Sequence, residues 1–151
     1  MAITQNYAGK TIDLCVLETS AKPGLDSVLV GISESGSVTS GSYKVVQKFI
    51  KYLMTELGSV PSDITYGTTF VTKLLGGQIH TSMGLSLEFY SALSDIKRYL
   101  DASDETPPPD ENLLTVTLEN FNVVLDSATM KLVFTFKDSS TIIAPVTIST
   151  V

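Results

Sequence analysis

Apolar positions recur every three to four residues in the middle of this chain and every second residue toward its end. Between Tyr43 and Leu57, in "YKVVQKFIKYLMTEL", Val46, Phe49, Ile50, Leu53 and Leu57 fall on one stripe. Lys44, Gln47, Lys48 and Lys51 fall opposite, which predicts an amphipathic helix with a wet lysine face. Ser42 is placed to cap its start and Gly58 to end it in a left-handed conformation. "TFVTKLLGG" (69–77) predicts a short helix stopped by a glycine pair. A longer helix follows over about Thr81 to Ala102, with Leu85, Phe89, Ala92, Leu93, Ile96 and Leu100 as its core stripe. Leu87 and Tyr90 widen that stripe, which suggests contact on two sides. Three prolines in "DASDETPPPDEN" (101–112) rule out helix, and its acids predict a wet surface loop.

From there the period is two. Leu114, Val116 and Leu118 share one face, but Phe121, Val123 and Leu125 join it only if one residue is skipped near Glu119–Asn120, so a β-bulge is expected there. "DSAT" (126–129) reads as the turn, and Met130, Leu132, Phe134 and Phe136 run back. A third strand, "TIIAPVTI", contains Pro145, which cannot donate to a ladder and belongs on an edge. At the other end, 11–18 and 27–33 read as a hairpin around the Pro-Gly turn signal of "TSAKPGLD". The Ser/Gly-rich stretch 33–42 reads as a connector. The pattern describes an α+β fold: two to three helices packed on a small, mainly antiparallel sheet. Residues 1–40 form an N-terminal β-hairpin extension and 41–151 the main domain of a single compact unit.

Composition narrows the function. The chain has 151 residues, 43% hydrophobic and 17% charged, enough for one domain with a core. Ten Lys and Arg stand against sixteen Asp and Glu, a formal charge of -6, which disfavours nucleic acid and anionic membranes. Cys15 is the single cysteine, and the first residues lack the basic start and apolar core of a signal peptide, so a reducing compartment is expected. His80 is the single histidine, which excludes multi-histidine metal sites, and no Gly-x-Ser-x-Gly elbow accompanies it. No phosphate loop or dinucleotide fingerprint is present, and no cofactor is expected. Glu56, Asp63, Glu88 and Asp95 could pair as a glycosidase's two carboxylates, but a chain with sixteen acids offers such pairs by chance.

The stretch "MTELGSVPSDITYGTTF" (54–70) is more specific. Thr55, Glu56, Gly58, Tyr66 and Gly67 keep the spacing of the corner that follows the main helix in the gp25-like family of contractile-tail baseplate wedge proteins. That family includes the sheath initiator of contractile-tailed phages and the related type VI secretion baseplate subunit. The order helix, corner, short helix, long helix, acidic loop, strands is similar too, and the resemblance covers roughly residues 42–140. Leu57 stands where the family usually has Pro, and Ser59 and Val60 where it has a Glu-Arg pair, so the contact made through that Arg has no counterpart here.

The resemblance implies a non-enzymatic part of a phage tail, assembled in the host cytoplasm into the virion's baseplate. Its partners would be baseplate wedge proteins, met through the helices, and the tail sheath protein, met by strand addition along 113–149. Glu56, Gly58, Tyr66 and Gly67 are the candidate wedge contact, and Phe134, Phe136, Ile142 and Val146 mark the candidate sheath surface. Two alternatives stand beside it: a lysozyme-like cell-wall glycoside hydrolase using Glu56, and a type VI secretion baseplate subunit. Glu56 near a helix C-terminus faces the negative end of the dipole, which is unfavourable unless a cation or amide donor meets it.

Overall fold

A computed structural model describes residues 13–14, 18–19, 28–29, 38–39, 41–102, 106–124 and 127–149. The fold is α+β. Four two-residue strands, β1 (Asp13–Leu14), β2 (Glu18–Thr19), β3 (Val28–Leu29) and β4 (Val38–Thr39), precede the helices α1 (Gly41–Met54), α2 (Phe70–Leu75) and α3 (Ser82–Asp101). The chain closes with β5 (Leu113–Val124), β6 (Ser127–Phe136) and β7 (Thr141–Ser149), an antiparallel sheet in the order β5-β6-β7.

β2 pairs antiparallel with β3 where a hairpin is expected, with Thr19 in the strand and not in the turn, and β3 runs beside β7. The expected connector is partly strand, because Val38 and Thr39 pair with Leu14 and Asp13. The Pro-Gly turn and Cys15 lie outside the described residues.

All three helices form where the apolar period places them, and each has a local reason to start or stop. Thr81 caps α3 by accepting from the Gly84 amide at 3.0 Å. α2 ends at the glycine pair, with Gly77 at a φ of +69°. α1 departs from expectation at both ends. The chain enters it through Gly41, whose φ of +66° suits glycine, so Ser42 already lies inside the helix and is not its cap. It stops at Met54, where the Thr55 hydroxyl turns back onto the Lys51 carbonyl. Leu57 and Gly58 therefore lie beyond the helix, and Leu57 is half exposed.

The larger correction concerns the lysine face of α1. Lys48 and Lys51 are exposed, but Lys44 and Gln47 are buried. Lys44 forms a 2.8 Å ion pair with Glu111, whose side chain is itself 9% exposed. The acidic loop is therefore not wet throughout. Its last turn folds over the start of α1, and it is tied to the β6–β7 connection by the Lys137 backbone amide donating to the Asn112 carbonyl at 2.9 Å. The amphipathic division of α1 does not reveal this second covering, because the covering segment is remote in sequence.

The core joins helices to sheet through phenylalanines. Phe49 of α1 meets Phe134 of β6 edge-on, centroids 5.0 Å apart, and Phe89 of α3 at 6.4 Å. Phe89 meets Phe70 of α2 at 6.2 Å. On β6, Ala128, Met130, Leu132, Phe134 and Phe136 all face inward, and Ile142, Ala144, Val146 and Ile148 do so on β7. Pro145 is exposed on the edge strand as expected.

The expected bulge is present. Glu119 pairs with Lys131 but Asn122 with Thr129, and Asn120 takes a φ of +46°. A second irregularity between Leu113 and Thr115 was not foreseen. It turns Leu114 outward and puts Leu113 in the core in its place. β6 begins at Ser127, opposite Val124, so Ser127, Ala128 and Thr129 are strand residues and not a turn. Leu125 lies outside the described residues.

Two substitutions at the buried ion pair should separate charge from packing. Lys44→Ala strands a buried carboxylate and should cost about 3–5 kcal/mol of unfolding free energy in urea titrations. The double replacement Lys44→Met with Glu111→Leu should restore wild-type stability or exceed it.

Candidate partner-binding corner

Between α1 and α2 the chain folds into a compact corner held by its own backbone. The Glu56 carbonyl accepts from the Ser59 amide at 3.1 Å and from the Ser59 hydroxyl at 2.7 Å, closing a tight turn with Gly58 at a φ of +80°. Further on, the Asp63 carboxylate accepts from the Thr65 amide at 3.0 Å and the Thr65 hydroxyl at 2.6 Å. The two limbs then meet. Thr68 donates its amide to the Thr55 carbonyl at 2.9 Å, and Leu57 donates to the Thr68 carbonyl at 3.0 Å, a single parallel bridge between Glu56 and Thr68.

Gly67 is what allows that meeting. Its φ is +104°, and a Cβ there would sit 2.6 Å from the Thr55 carbonyl oxygen and 2.8 Å from that of Glu56. No other residue fits so close an approach. Next to it, the buried Thr68 hydroxyl donates to the Leu53 carbonyl at 3.0 Å and accepts from the Phe70 amide at 3.3 Å. One side chain thus serves an unpaired carbonyl at the end of α1 and a free amide at the start of α2. The sequence reading passed over Thr68, although a threonine just before a helix start is a capping signal.

Three tyrosines fasten the corner to the helices. Tyr66 lies 4.6 Å from Tyr52 of α1 and 5.4 Å from Tyr99 of α3, and Tyr52 and Tyr99 are 4.6 Å apart. The Tyr52 hydroxyl donates to the Thr65 carbonyl at 3.4 Å. Burial, with Asp95 and Asp63 nearby, pushes the Tyr52 phenol above its ordinary value.

Glu56 and Gly58 are exposed on this scaffold, Tyr66 is half-buried and Gly67 is buried. Among the described residues no cation or amide donor meets the Glu56 carboxylate. The structure does not bring the other candidates to any surface. Phe134 and Phe136 are fully buried, and Ile142 and Val146 are 2% and 1% exposed. These four side chains pack the core of this chain and cannot touch a partner.

The paired-carboxylate alternative is not favoured by these environments. A general acid needs a raised pKa. The Thr65 hydroxyl and amide instead hold the Asp63 carboxyl below the ordinary aspartate value. Glu88 is engaged by Lys73 at 2.7 Å, bridging α3 to α2, and Asp95 lies 3.6 Å from Arg98. His80 is exposed. Among the described residues there is no group of three or more potential metal ligands, and no helix is long and apolar enough to cross a membrane.

No protein-family model matches the chain, and no curated protein matches it.

Gly67→Ala should cost about 2 kcal/mol or more in urea unfolding, since it combines a left-handed backbone with a backbone clash. Asp63 is lower in pKa folded than unfolded, so its contribution is present at neutral pH and fades as pH falls through the folded value. Carboxyl-carbon NMR titration should find Asp63 below the ordinary aspartate range, and Thr65→Val should move it back upward.

Proposed function

We propose that this chain is a structural component of a contractile-tail baseplate wedge, with no catalytic role. One observation carries the reading: an exposed Glu56, met by no cation or amide donor among the described residues, on a corner whose backbone is fixed by Gly67, Thr68 and three tyrosines. A carboxylate two residues past the end of α1 faces the negative end of the helix dipole. Among the described residues nothing compensates that position, whereas a cation or amide donor on a neighbouring subunit would gain a charge-assisted contact with a preorganised partner.

The resemblance of the Thr-Glu-x-Gly…Tyr-Gly corner to baseplate wedge proteins supplies the kind of neighbour. In this reading the corner binds another wedge subunit. The outer edge of the β5-β6-β7 sheet gives the first ring of tail sheath a strand to pair with, through backbone hydrogen bonds that need no cofactor. The formal charge of -6 suits a protein surrounded by protein, away from the DNA channel. The chain would join the baseplate in the host cytoplasm and remain in the virion as one part of a hetero-oligomer.

The test is co-expression of the tagged chain with its neighbouring tail proteins, followed by mass spectrometry of what co-purifies. Wedge and sheath subunits are expected, and Glu56→Gln should fold normally yet weaken the complex about tenfold or more. Recovery of no tail protein, together with clearing of purified cell wall by the lone chain, would replace this reading with that of a hydrolase.

A further inference from the structure

We draw no further inference here: the strongest candidate, the exposed apolar face of α3 formed by Met83, Leu87 and Tyr90, carries nothing because nothing in the structure shows what covers it.

Discussion

Phe49 is the point on which the rest of the structure depends. Its ring touches the sheet through Phe134 and α3 through Phe89, which in turn touches α2 through Phe70. Four elements that are distant in sequence are thus held by one chain of buried rings. Each such ring contributes several kilocalories when packed, on the scale of about 3–5 kcal/mol for a phenylalanine truncation. The three-stranded sheet has helices over it because its inward positions are filled this way. α1 in turn has a second covering, the Lys44–Glu111 loop, because it lies at the centre of the domain.

The corner inherits its rigidity from that core. Tyr52 and Tyr99 project from helices already anchored, and Tyr66 packs against both, tilted to the first and edge-on to the second. Gly67 lets the two limbs approach to bonding distance, and Thr68 closes the junction between two helix ends. The result is a loop over residues 55–69 with little freedom to lose on binding, which is the property that lowers the entropic cost of recognition. We propose that a single exposed carboxylate on such a support serves a partner. Its neighbour Asp63 is tuned toward ionisation, opposite to what a proton donor requires.

Much of this was legible in the chain's pattern. Three helices, the bulge near Asn120 and the edge position of Pro145 follow from local rules: a period, a skipped residue, a missing amide hydrogen. The corner's glycine and tyrosine were visible as spacing. What escaped was set by remote contacts. Lys44 reads as solvated because nothing nearby reveals the loop 67 residues away that carries Glu111. Leu114 reads as core because alternation does not show that the ladder slips at the first residues of β5. Phe134, Phe136, Ile142 and Val146 were assigned to an interface, yet which face of the sheet the helices cover is a tertiary fact. Glu56 reads as part of the last turn of α1 but lies two residues past its end, and that no described residue meets its carboxylate could be seen only in three dimensions.

The central claim is that Glu56 on its fixed corner is read by another protein. Electron cryomicroscopy of a contractile-tail baseplate assembled with this chain would test it most directly. Density for the domain in the wedge is expected, with the Glu56 carboxylate within about 3 Å of a cationic or amide group of a neighbouring subunit. A baseplate that contains the chain but leaves the corner facing solvent, or one that assembles without the chain, would contradict it.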